Sequence, residues 1–104
     1  MPYSVVFTPE AEEQLIELYR YIAAAASAEI AQRYTSALVT YCEGLREFPQ
    51  RAVRRDDIRP GLHVTNYKGR VVIAFAVDAD AVAIIGLYYG GRDYESLLQT
   101  DQDE

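Results

Sequence analysis

Arg92, Asp93, Tyr94 and Glu95 are the residues best equipped for chemistry; they follow the apolar run Ile84 to Tyr89 and a Gly90-Gly91 pair. A cation, a phenol and two carboxylates in four positions can bind a charged partner or move a proton, and a strand that ends in an irregular segment is where small domains place function. The other candidates lie upstream: Arg59, His63, Lys68 and Arg70 surround two predicted strands. Each has an ordinary structural alternative. Arg92 and Asp93 can form a surface ion pair, His63 reads as a partly exposed sheet residue, and Arg54-Arg55-Asp56-Asp57 reads as a solvated loop. Gly90-Gly91 suits a turn rather than a phosphate cradle, because no helix start with a P-loop lysine follows.

Composition removes several function classes. With one cysteine, Cys42, and one histidine, a zinc site of Cys and His ligands within the chain is excluded, and no serine has the glycine surroundings of a nucleophile elbow. No metal and no cofactor are expected. Cys42 falls in a helical apolar pattern and reads as a buried, inert thiol. The net charge of −6 works against a phosphate grip spread over the whole surface. Arginines and lysines nevertheless concentrate in the middle and later chain, so a local basic surface remains open. No apolar run is long enough to span a membrane and the start lacks a signal-peptide pattern, so the expected address is the cytoplasm.

The elements that must position these residues follow from periodicity. Tyr3 to Phe7 alternates as a first strand; Thr8-Pro9-Glu10 opens a helix with a capping hydroxyl, a proline suited to the first turn and acids at the positive end of the dipole. Ala11, Leu15, Leu18, Tyr19, Ile22 and Ala26 give that helix one apolar face. Ser27 caps a second helix whose face is Ile30, Tyr34, Ala37, Leu38, Tyr41, Leu45 and Phe48, closed by Pro49. Three strands follow, Leu62 to Tyr67, Val71 to Val77 and Val82 to Tyr89. In the second of these Val71, Ile73, Phe75 and Val77 share a bulky face for the helices, while Val72, Ala74 and Ala76 form a small apolar face that would be left bare for a partner. The expected class is α+β: an N-terminal strand and a two-helix antiparallel hairpin packed on a three- to four-stranded antiparallel sheet. Residues 1–98 make one domain and residues 99–104 an acidic, flexible tail.

The ordered pieces Thr8 to Glu12, Glu47-Phe48-Pro49, Arg59-Pro60-Gly61-Leu62, Gly69-Arg70 and Tyr89 to Glu95 resemble the RelE/ParE superfamily of toxins from bacterial type II toxin–antitoxin modules. The resemblance spans nearly the whole chain. It implies one of two activities. RelE-like members are ribosome-dependent messenger-RNA endonucleases, which need a base for the 2′-hydroxyl, cations for the phosphate and an acid for the leaving oxygen. ParE-like members poison DNA gyrase and have no hydrolytic site.

Carried over residue by residue, the nuclease set is incomplete. The strand position that holds an arginine in the nucleases falls at Val72, with Arg70 two residues earlier, and the C-terminal tyrosine position falls near Leu98. Only Arg92 coincides with a basic position; His63, Arg70, Arg92 and Tyr94 are the best set available. The resemblance therefore implies a ParE-like gyrase poison, neutralised by a ParD-like antitoxin that folds on binding and carries the DNA recognition itself. Arg59, Lys68, Arg70, Arg92, Asp93 and Tyr94 are the expected target or partner contacts; Val72, Ala74 and Ala76 are the expected antitoxin-facing surface. The alternatives are a RelE-like ribonuclease and a degenerate antitoxin-binding module without toxicity.

Overall fold

The computed structural model of the chain describes residues 4–47 and 52–89. Strand β1 (Ser4–Phe7) leads into helix α1 (Pro9–Ala25). Thr8 is extended and its hydroxyl accepts a hydrogen bond from the Ala11 amide at 3.2 Å, while Pro9 occupies a position where no amide is needed. Ala26 and Ser27 reverse the chain into α2 (Ala28–Gly44), whose first turn is capped by the Ser27 hydroxyl accepting from Ile30 at 3.1 Å. The expected helical hairpin is present.

Helix α2 stops at Gly44, short of the expected Phe48. Beyond it the amides of Leu45, Arg46 and Glu47 donate to the carbonyls of Cys42, Glu43 and Gly44. These three-residue steps replace the α-helical repeat at a glycine, the weakest ordinary helix former. Phe48 and Pro49 lie outside the described residues. The buried stripe of α2 is Ala31, Thr35, Leu38 and Cys42, continued by Leu45, whereas Ile30 is 46% exposed and Ala37 faces solvent. Pattern reading favoured the large side chains; packing against a sheet favours small ones at the closest approach. Thr35 is tolerated there because its hydroxyl donates to the Ala31 carbonyl at 2.9 Å. In α1, Ala11 and Leu18 are buried, Leu15 and Ile22 pack against the core, and Ala26 is exposed.

The sheet has five strands in the order β1-β5-β4-β3-β2, with β2 (Val53–Arg54), β3 (Leu62–Tyr67), β4 (Val71–Val77) and β5 (Ala81–Tyr89). It is larger than expected and mixed. β1 adds in parallel beside β5, from Ser4 opposite Ala81 to Phe7 opposite Ile84, and the charged connection contributes the two-residue β2. β3 and β4 are joined through Lys68 (φ 54°) and Gly69 (φ 69°), two successive left-handed residues that match the twist of a hairpin.

Between β4 and β5 the register slips: Ala74 lies opposite Gly86 but Phe75 opposite Ile84, which leaves Ile85 as an extra residue in a β-bulge. Helix α1 and its cap satisfy the backbone around it. The Thr8 amide donates to the Ile84 carbonyl at 3.0 Å, the Thr8 hydroxyl donates to the Ile85 carbonyl at 3.3 Å, and the Leu87 amide donates to Gln14 Oε1 at 2.7 Å. Because the bulge changes the alternation of β5, Val82, Ile84 and Leu87 all enter the core beneath the helices. Val71, Ile73 and Phe75 join them from β4, as their alternation predicts, and Phe75 is completely buried.

The opposite face is not bare. Ala74, expected to be exposed to a partner, is fully buried in a second cluster with Ile58, Leu62 and Tyr88. The cause is a shallow floor: Ala74 and Gly86 pair across the strands, and a Cβ added at Gly86 would meet the Tyr88 ring, with Cζ only 2.6 Å away. The Tyr88 ring therefore lies across Gly86 and covers what a larger side chain would have filled. Val72 and Ala76 remain partly exposed.

Candidate partner-binding groove

A cavity of about 470 Å³ opens where the end of α1, the body of α2, the β3–β4 turn and the end of β5 meet. Leu18, Tyr21 and Ile22 come from α1 and Tyr34 from α2; the sheet supplies Gly69, Arg70, Val71 and Tyr89. Their placement follows from the fold. The tight Lys68-Gly69 turn brings Arg70 to the rim, and the pairing of Val71 with Tyr89 sets the last residue of β5 beside it. Tyr21 is 62% exposed, yet its ring lies 5.8 Å from that of Tyr89.

A second layer of aromatics stiffens this wall. Tyr67 is buried and receives Tyr34 edge-on at 5.7 Å and Tyr41 at 5.2 Å, while Lys68 Nζ lies 5.3 Å from the Tyr67 ring centre. The tyrosines at 34 and 41 thus pack, as expected. Burial, then the neighbouring Tyr67, push the Tyr34 phenol up from its ordinary value, with Arg70 opposing. Tyr34 is therefore a neutral hydrogen-bonding group near pH 7, not a base. Arg70 brings a permanent charge to an otherwise aromatic and aliphatic groove. Such a surface can hold apolar side chains and accept one carboxylate; among its described lining residues no general base stands beside a nucleophile.

Among the described residues, the candidates from the sequence fall at separate places along β3. His63 is buried at 5% exposure, a correction to the expected partly exposed position: it points toward the helices, stacks on Phe75 at 5.3 Å, and places Nδ1 3.2 Å from the Gly61 carbonyl. The pairing of His63 with Phe75 explains this, since both lie on the core face of adjacent strands. Arg70 is beyond the far end of β3, four residues from His63 at Tyr67 and hence roughly 13 Å along the strand before the turn begins. Arg59 is half-buried before the start of β3, at the opposite end of that strand from Lys68 and Arg70. Arg92, Asp93 and Tyr94 lie outside the described residues, as do Gly90 and Gly91.

The charged loop behaves as a solvated segment with internal order. Asp56 pairs with Arg54 at 3.1 Å and accepts from the Gly61 amide at 2.8 Å, and Asp57 pairs with Arg55 at 2.9 Å. The Gly61 bond, then that from Arg54, hold the Asp56 carboxyl below its ordinary value; the Arg55 bond does the same for Asp57. Ile58, in the same loop, turns inward to cover Ala74. A shallower cavity of about 390 Å³ lies near the β2 edge, lined by Val53, Val64 and Val72 with Arg55, Thr65 and Asn66. Among the described residues no group of three His, Cys, Asp or Glu side chains is placed to hold a metal, and no helix is long and apolar enough to cross a membrane.

Sequence reading missed Tyr21, Tyr89 and Gln14. Tyr21 sits just off the apolar stripe of α1, and its signal was a large aromatic where a solvated position needs none. Gln14 gave no signal at all, because its partner is a bulge amide 73 residues away.

The fold has close counterparts. A structure of the chromosomal ParDE toxin–antitoxin system from P. aeruginosa superposes with a TM-score of 0.74 at 17% identity, covering 84% of this chain and 95% of that one. A chain of the RelBE2 toxin–antitoxin complex from Mycobacterium tuberculosis gives a TM-score of 0.63 at 22% identity, covering 86% of this chain and 100% of that one. At these identities the likeness is one of fold. A search of curated protein sequences found no match. The family profile described as ParE toxin of type II toxin–antitoxin system, parDE, matches residues 5–94, which takes in every described strand and helix but the first residue of β1, and the chain accordingly belongs to the ParE toxin family.

Proposed function

We propose that this chain acts in the cytoplasm by binding and poisoning DNA gyrase without catalysing a reaction of its own, and that a ParD-like antitoxin silences it by folding onto its surface. The carrying observation is the chemistry of the groove within a ParE-family fold: aromatic and aliphatic walls with Arg70 as the charged group, and His63 buried among core residues far from it. RNA cleavage requires base, cation and acid around one phosphate, and the described candidates for those roles are held at separate places in the sheet. The apolar walls suit an antitoxin segment that orders on contact, where burial of its side chains offsets the entropy lost.

A supercoiling assay with purified gyrase tests the target. Excess toxin should inhibit supercoiling and trap cleaved DNA, and pre-incubation with the cognate antitoxin should restore activity. Unchanged supercoiling at toxin excess would overturn the gyrase reading. Prompt translation arrest on expression would then favour the ribonuclease, and normal growth would favour an antitoxin-binding module without toxicity.

A further inference from the structure

The far face of the sheet, away from the helices, carries a strip that the Tyr88 cover leaves partly open. Val53 pairs with Val64 and Asn66 with Val72, so β2, β3 and β4 all contribute to it. With Arg55 and Thr65 these residues line the cavity of about 390 Å³. Val53 is the most exposed large apolar residue of those described, at 65%, and Val64 and Val72 are half-buried at the margin of the cluster formed by Ile58, Leu62, Ala74 and Tyr88. The larger groove draws on Leu18, Ile22 and Tyr34 and so lies on the helix side of the sheet. A molecule seated in one cavity leaves the other open.

Charge divides along a similar line. Between positions 52 and 70, Arg54, Arg55, Arg59, Lys68 and Arg70 stand against only Asp56 and Asp57, whereas the other described residues carry nine carboxylates against three arginines. Lys68 stands at the Asn66 end of the strip, where Asn66 Oδ1 accepts the Gly69 amide at 3.1 Å.

We propose that this strip docks an acidic, aliphatic segment of a partner protein, with an apolar side chain against Val53, Val64 and Val72 and its carboxylates toward the surrounding cationic stretch. The charge asymmetry selects the sign, because such a segment is drawn to this edge of the sheet and repelled by the acidic helices. The lining selects a polypeptide over a nucleic acid. Three valines give phosphates nothing to bind, the described lining holds no aromatic ring on which a base could stack, and the Asp57 carboxylate, 2.9 Å from Arg55, would face an incoming phosphate. A second copy docking through the same patch would set cations against cations. The docking surface stands apart from the gyrase reading and from whatever fills the groove.

The probe is a synthetic peptide in which aspartate and glutamate alternate with valine and leucine, titrated into the full-length, methyl-labelled chain and followed by NMR. The methyl resonances of Val53, Val64 and Val72 should shift to saturation while the rings of Tyr21 and Tyr34 stay in place. Raising the salt from about 50 to about 300 mM should weaken the association several-fold. The same peptide with lysine in place of its acids should bind about tenfold more weakly. Val53→Asp, at an exposed position, should also weaken binding about tenfold with the thermal melt within a few degrees of wild type, and Val6→Asp, exposed at the opposite edge of the sheet, should leave it unchanged. An absence of shifts, shifts confined to the groove tyrosines, or equal binding of the acidic and lysine peptides would each overturn the proposal. So would full-strength binding by Val53→Asp, or an equal loss with Val6→Asp. A single-stranded oligonucleotide that displaces the peptide from the valine methyls would also overturn it, by assigning the strip to nucleic acid.

Discussion

The two faces of the sheet are built by different means. Toward the helices, Val71, Ile73, Phe75, Val82, Ile84 and Leu87 present bulky side chains to Leu18, Leu38 and Cys42, and coverage comes from separate elements. On the other side Ala74 and Gly86 leave a shallow floor, and the sheet covers itself with Tyr88 from β5 and Ile58 and Leu62 from the loop and strand beside it. The first is a core in which volume counts. The second depends on small residues remaining small.

That contrast can be broken most severely on the helix side. Phe75→Ala should destabilise the fold by about 3 to 5 kcal/mol in denaturant titration, the range for emptying a fully buried aromatic site. A near-neutral result would mean that the helical layer can collapse into the space. On the opposite face the informative change is an addition: Gly86→Ala puts a methyl into the Tyr88 ring and should cost about 1 to 3 kcal/mol by forcing that ring out of place. If Gly86→Ala were neutral, Tyr88 would be a loose cover rather than a fitted one. Smallest of all, Val72→Thr alters a half-exposed position and should stay within about 0.5 kcal/mol of wild type. A loss as large as that at Phe75 would make the two faces equivalent.

Local rules were legible where the chain itself supplies both partners. The caps at Thr8 and Ser27, the two helices, the strands at 62–67 and 71–77 and the bulky face of β4 all follow from neighbours in sequence. Cys42 was legible too: it is buried, and burial, with Glu43 adding, pushes its thiol up to about 12, far from a reactive thiolate. What escaped depends on distant partners. The bulge at Ile85 is set by how β4 meets β5, the burial of His63 by Phe75 on the next strand, and the coverage of Ala74 by a ring that folds back over Gly86. Periodicity shows which face a residue occupies but not what lies above that face. For the same reason Val72, Ala74 and Ala76 read as an open surface, although Ala74 is among the most enclosed residues.

The clamp on the β5 bulge joins two stretches far apart in the sequence. Thr8 and Gln14 are made first, yet the backbone groups they satisfy belong to Ile84, Ile85 and Leu87, made more than 70 residues later. Strand β5 also fills the slot between β1 and β4, so until it arrives those two strands have no neighbour to share. A nascent chain can assemble the helical hairpin and the β3–β4 pair from local contacts, but closure of the sheet waits for its last interior strand. A partial product lacking β5 would expose the edge of β4 and the uncovered underside of α1. The groove between the helices and the sheet therefore forms in one late step, when its wall at Tyr89 is laid down.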